Sequence, residues 1–190
     1  MKKVLLSILT ITLIGFFSSC SSDDNGDIIS TDDGDQGIDT KLTGQITSDK
    51  TLTNDEIWEI EGRVTVTNGA TLTIEEGTII KAFAGSGANA STLIIARDAK
   101  IMAEGTANSP IIFTSVADNI QIGQSAGGNL TENDRGLWGG LILLGNAEIS
   151  VEGNASETQI EGIPASDTNG LYGGSNNTDN SGVINFISIR

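Results

Sequence analysis

Three stretches of the chain repeat one pattern: an apolar alternation, a turn residue followed by Ala, a second apolar alternation, then Glu. Val64, Val66, Ala70, Leu72, Ile74 and Glu75 align with Leu93, Ile95, Ala99, Ile101, Ala103 and Glu104. They align again with Leu141, Leu143, Ala147, Ile149, Val151 and Glu152. A repeat unit of short strands with no helix between them cannot bury its apolar face alone and must stack on its neighbours, which points to a coiled β-solenoid.

The spacing supplies the corners. Gly69, Asp98 and Asn146 precede the repeated Ala, and all three residue types tolerate a left-handed bend. Gly77, Gly105 and Gly153 follow the repeated Glu as a second bend, and a third strand is expected at Thr78–Ile80, Ile111–Phe113 and Gln159–Ile160. The reading is therefore an all-β, right-handed parallel β-helix of about three to four coils, each strand pairing with its equivalent about 4.8 Å away. A further coil is expected to open at Gly182–Val183, matching Gly140–Leu141. Trp58 is expected to cover the first open edge, with one helical turn at most over Thr53–Glu56. A β-sandwich is the rival fold, disfavoured because the copies share turn chemistry and hairpin signals are sparse.

Gly-, Asn- and Ser-rich stretches at Ala84–Ser91, Ser115–Arg135 and Pro164–Ser181 read as insertions projecting from solenoid corners, where function is commonly grafted. The sequence stops at Phe186–Arg190 in a strand-like run with no polar cap, so an uncapped end is expected, either because the protein continues or because a partner covers it.

The first 19 residues hold Lys2 and Lys3, then an apolar run from Val4 to Phe17 closed by Ser18 and Ser19. This describes a secretory leader, and the run is shorter than the roughly 20 residues a spanning helix needs. Cys20, the only thiol, excludes an intramolecular disulfide. Its setting resembles the lipobox of bacterial lipoproteins, with Phe17 where that motif usually has Leu; a plain leader with a chance Cys is the alternative. Residues 20–41 form an Asp-rich segment too polar to fold, expected to be a disordered tether. The acidic cluster after Cys20 resembles the export signal of Bacteroidota surface lipoproteins, against a spacer on the periplasmic face. The β-helix is then expected over 42–190.

A formal charge of −15 repels nucleic acid and anionic headgroups, which argues against both as partners. No His is present, so imidazole catalysis and His metal ligation are excluded, and no base stands ready to activate a Ser. Asp134, Arg135, Asp167 and Asp179 lie in the insertions and are candidates for carboxylate chemistry on acidic polysaccharide, or for solvated turn residues. Asp179, Asn177 and Asn180 offer hard oxygens that suit Ca²⁺, although Asx turns explain them equally. Glu75, Glu104 and Glu152 would form a carboxylate ladder if the copies stack, splayed into solvent or offset by Lys81, Lys100 or a cation. Trp138 is a packing residue or a sugar-stacking platform, and Tyr172 is the aromatic most expected to be exposed and to face a ligand, with a loop anchor as the alternative.

Together, Val66–Lys81, Ala103–Ser115, Leu137–Gly145, Ile160–Ile163, Tyr172–Gly174 and Asp179–Gly182 resemble the surface β-helix lipoproteins of Bacteroidota, over nearly all of 42–190. The resemblance implies a right-handed β-helix anchored to outer-membrane lipid through Cys20. It brings no catalytic residues. The expected function is a non-enzymatic stalk presenting loops for adhesion, contacting glycan or another surface protein. A polysaccharide lyase or hydrolase and a structural envelope component are the alternatives.

Overall fold

The computed structural model describes residues 39–190. The expected leader, Cys20 and most of the expected tether lie outside these residues. The described chain is a right-handed parallel β-helix, wound as successive three-strand coils. The first holds β1 (Lys41–Leu42), β2 (Gln45–Ile46) and β3 (Lys50–Leu52). The second holds β4 (Ile57–Ile60), β5 (Arg63–Val66) and β6 (Thr71–Ile74), and the third β7 (Ile79–Ala82), β8 (Thr92–Ile95) and β9 (Lys100–Glu104). The fourth begins with β10 (Ile111–Ser115) and β11 (Gly140–Leu143). It detours through an antiparallel hairpin, β12 (Glu157–Gln159) and β13 (Leu171–Gly173), and closes with β14 (Gly182–Asn185). β15 (Ile187–Ile189) starts another turn.

Three parallel sheets result, ordered β1-β4-β7-β10-β15, β2-β5-β8-β11 and β3-β6-β9-β14. The repeat sets their register. Val64 pairs with Leu93 and Leu93 with Leu141, while Leu72 pairs with Ile101 and Ile74 with Ala103. Because side chains alternate across a strand, matching the register puts every second residue of each coil into one interior column. Leu72, Leu93 and Ile101 are fully buried there with Trp58, Ile80 and Phe113. Each such side chain contributes about 1.5–3 kcal/mol relative to exposure. Left-handed corners occur at Asn68 (φ 59) with Gly69 (φ 73) and at Asp98 (φ 68), where the chain passes from the second sheet to the third. Trp58, in the second coil, is buried, with the Lys50 ammonium of the first coil 5.1 Å from its ring centroid. Thr53–Glu56 forms turns rather than a helix.

The third copy of the repeat departs from expectation after Leu143. Ala147, Ile149 and Val151 form no strand, and β14 instead lies on β9, with Gly182 opposite Ile101 and Ile184 opposite Ala103. Two local causes are visible. Asn146 does not take the left-handed bend of Asp98. Its side chain donates to Asp98 Oδ1 at 3.0 Å and its backbone N–H to Asp179 Oδ2 at 2.7 Å, which turns the chain outward. Gly182 has φ +118, and a Cβ there would overlap the Ile101 carbonyl, so only glycine closes over β9. Three expectations are corrected with it. Gln159 falls in the hairpin, not on β10. Gly182–Val183 completes the fourth coil rather than opening a new one. The insertion between β11 and β14 runs over residues 144–181, longer than Pro164–Ser181.

The two long insertions fold back on the sheets rather than projecting. Between β10 and β11, buried Ile120 covers the outward-facing Ile79 and Ile112. Lys81, also buried, donates from Nζ to the Asp118 carbonyl at 2.9 Å. Between β11 and β14, Ile163 packs on Ile94 and Leu144, and two ion pairs bind the segment to the solenoid. These are Arg63–Asp167 at 3.1 Å and Arg97–Glu157 at 2.7 Å. At the last coil Leu143, Val183, Ile184, Phe186 and Ile189 are exposed, so that end of the described column is open.

Candidate functional site

The insertion that follows β10 re-enters the solenoid through the segment 134–140. Asp134 accepts hydrogen bonds at Oδ2 from the Thr131 backbone N–H (2.7 Å) and hydroxyl (2.9 Å), forming a tight turn. Those bonds hold its carboxyl below the ordinary 3.8. It is therefore a carboxylate at neutral pH, and its hold on the turn is lost only as pH falls through that depressed value. Arg135 donates from Nε to the Glu132 carbonyl at 2.8 Å. Both charges stand at the surface.

Trp138 is half-buried. One face of its indole lies against Phe113, with ring centroids 6.4 Å apart and planes within 12°. Its Nε1–H donates to the Arg190 carbonyl at 2.7 Å. Arg190 is tied in turn by Nη2 to the Ser125 carbonyl at 2.6 Å. Asp134, Arg135, Leu137, Trp138, Ile189 and Arg190 line a cleft of about 330 Å³. The cleft thus sets Asp134, Arg135 and Trp138, neighbours in the sequence, beside Arg190 from the next coil. Clefts of similar size at the first coil (about 360 Å³) and beside Glu148–Ser156 (about 380 Å³) contain no aromatic.

The other candidates disperse. Tyr172, expected to be exposed, is half-buried in β13 against the Ile94–Leu144–Ile163 cluster. Asp167 is paired to Arg63 and accepts the Asn169 N–H at 3.1 Å. Asp179, Asn177 and Asn180 each accept a different backbone N–H, those of Asn146, Glu148 and Gly182. Among the described residues no cluster of three or more His, Cys, Asp or Glu could hold a metal ion. The carboxylate ladder has two rungs, Glu75 and Glu104; the next is Asn185, because Glu152 sits in the insertion. Glu75 accepts the Asn54 N–H at 3.1 Å, and no ion pair of Lys81 or Lys100 with the ladder forms among the described residues.

An indole plate flanked by guanidinium groups and a carboxylate is suited to a sugar ring: the apolar C–H face stacks, and the planar charged groups bond its hydroxyls. Asp134 is the one side-chain carboxylate among the lining residues, so a pair of acidic side chains for glycoside hydrolysis is not assembled there. Arg190 and the supporting Phe113 were missed in the sequence. Their contact with Trp138 is long-range and leaves no local signal.

A family model described as a pectate-lyase-like β-helix domain matches residues 44–190. No curated protein and no solved structure matches the chain.

Proposed function

The chain belongs to the family of pectate-lyase-like β-helix domains, and from that fold and the Trp138 cleft we propose a lipid-anchored surface protein that binds glycan without transforming it. The single observation that carries the binding reading is Trp138, fixed on Phe113 and set among Asp134, Arg135 and Arg190. The leader, Cys20 and the acidic segment behind it support anchoring to outer-membrane lipid and display at the cell surface. The solenoid then acts as a rigid support that holds the cleft away from the membrane, for adhesion to polysaccharide or to another surface protein.

Two measurements test this. On a glycan array the wild-type protein should bind at least one glycan class, and Trp138→Ala should weaken that binding about 10–100-fold, the loss of about 1–3 kcal/mol of ring stacking and cleft burial. Unchanged binding by the variant removes the cleft from the account. In cells fed a labelled fatty acid, wild type should carry label and Cys20→Ser should not. Label on the Ser variant would contradict anchoring through Cys20.

A lyase or hydrolase is the second reading, favoured by the family's description and by Asp134 and Arg135 sharing the cleft. Release of unsaturated or reducing sugar ends, abolished by Asp134→Ala, would replace the binding reading with this one.

A further inference from the structure

A second cleft, of about 180 Å³, shares Gly139 with the Trp138 cleft and is lined by Arg63, Ala88, Thr92, Glu161 and Ile163. Gly139 lines both clefts and is the saddle between them. A side chain there would collide with the Thr92 methyl and the Ser91 carbonyl, so the saddle is bare by necessity. The floor follows the register of the second sheet: Arg63 pairs with Thr92, and Thr92 with Gly140. These outward positions shrink from Arg to Thr to Gly, and the floor therefore falls away toward the Trp138 side. Ala88, from the short insertion after β7, and Ile163 supply apolar lining.

The polar groups at this cleft are underused. Arg63 gives one N–H to Asp167. Its remaining guanidinium N–H groups, the Thr92 hydroxyl and the exposed Glu161 carboxylate have no partner among the described residues. Asp167 neutralises Arg63, so Glu161 leaves the cleft with negative character that disfavours an anionic ligand. A group that both donates to a carboxylate and accepts from a guanidinium, beside apolar Ala88 and Ile163, is an uncharged polyhydroxyl ring.

We propose that the two clefts are adjoining subsites of one track for a linear neutral oligosaccharide. One sugar ring would lie on Trp138, the chain would cross Gly139, and a further ring would sit between Ala88 and Ile163 with its hydroxyls on Arg63 and Glu161. This inference rests on the glycan-binding reading of the Trp138 cleft and adds the ligand's charge class and its minimum length.

The test is calorimetric titration of the lipidated protein, purified in detergent, with β-1,4-linked glucose, xylose and mannose oligomers of one to six units. Joining two subsites through one ligand should raise affinity about tenfold or more between the dimer and the tetramer, followed by a plateau. Ala88→Trp, which fills the second cleft from an exposed loop, and Glu161→Ala should each bring the tetramer back to the dimer's affinity and leave the dimer unchanged. Trp138→Ala should weaken every length. Affinity independent of length, or tetramer binding indifferent to Ala88→Trp and Glu161→Ala, overturns the track while leaving the Trp138 site standing. Binding of oligogalacturonate but of no neutral oligomer overturns it in the same way. No binding of any sugar overturns both.

Discussion

Replacing Phe113 with alanine is expected to cost about 3–5 kcal/mol of stability and to dismantle the Trp138 cleft in the same step. Phe113 is fully buried in the interior column, and its inward position on β10 lies directly above Ile80 on β7. Truncation removes apolar burial and leaves a void that stacked strands, fixed by their ladder bonds, cannot collapse to fill. It also withdraws the ring on which Trp138 rests at 6.4 Å. A stability of about 5–15 kcal/mol is ordinary for a domain, so the loss is a large fraction of the total. Denaturant titration with tryptophan fluorescence should report both effects, a lower midpoint and an altered native emission. Phe113→Leu, which retains most of the volume, should preserve the fold at lower cost yet still change the emission. A Phe113→Ala protein with the wild-type midpoint would contradict the packing described.

Asp118→Ala is expected to cost about 2–4 kcal/mol, because two buried donors lose their acceptor together. The carboxylate accepts the Thr114 hydroxyl at 2.9 Å through Oδ2 and the Ile120 backbone N–H at 3.0 Å through Oδ1. Its own backbone carbonyl receives the buried Lys81 ammonium. The substitution therefore frees the loop that lays Ile120 over Ile79 and Ile112. Hydrogen exchange should accelerate through residues 116–129 and remain slow in β5, β6, β8 and β9. Asp118→Asn keeps one acceptor and should lose less than half as much. Equal losses for Ala and Asn would mean that the hydrogen bonds are not what holds the loop.

The solenoid was legible because its signal is local and periodic. Alternation in Arg63–Val66 and Thr71–Ile74, with left-handed residues between them, encodes two strands and a corner without reference to the rest of the chain. The same logic misled at Leu141. The alternation of Ala147, Ile149 and Val151 satisfies the pattern, yet Asn146 is bonded to Asp98 and Asp179, and that bonding decides the path. Such contacts join residues 48 and 33 positions apart and have no sequence periodicity. The insertions were mistaken for projecting loops for a similar reason. Ile120 and Ile163 are single apolar residues in polar stretches, and what makes them anchors is the outward-facing Ile79, Ile94 and Ile112, which sequence alternation alone assigns to solvent. The site shows the same division. Trp138, Asp134 and Arg135 were visible as residue types in one stretch, whereas Arg190 joins them only because the next coil begins above β10.

Everything about the site depends on β14, and not the segment 147–152, closing the fourth coil over β9. Paired cysteines in a Cys20→Ser background test this most directly. Met102 and Val183 are register partners on adjacent parallel strands, a separation of about 4.8 Å that a disulfide spans. Met102→Cys with Val183→Cys should oxidise to an intramolecular disulfide, seen as a two-dalton mass loss and one cross-linked peptide. The pairing that the sequence repeat alone implies, Met102→Cys with Ser150→Cys, should remain reduced. A cross-link between positions 102 and 150, with 102 and 183 left as free thiols, would contradict the architecture and remove the Trp138 cleft with it.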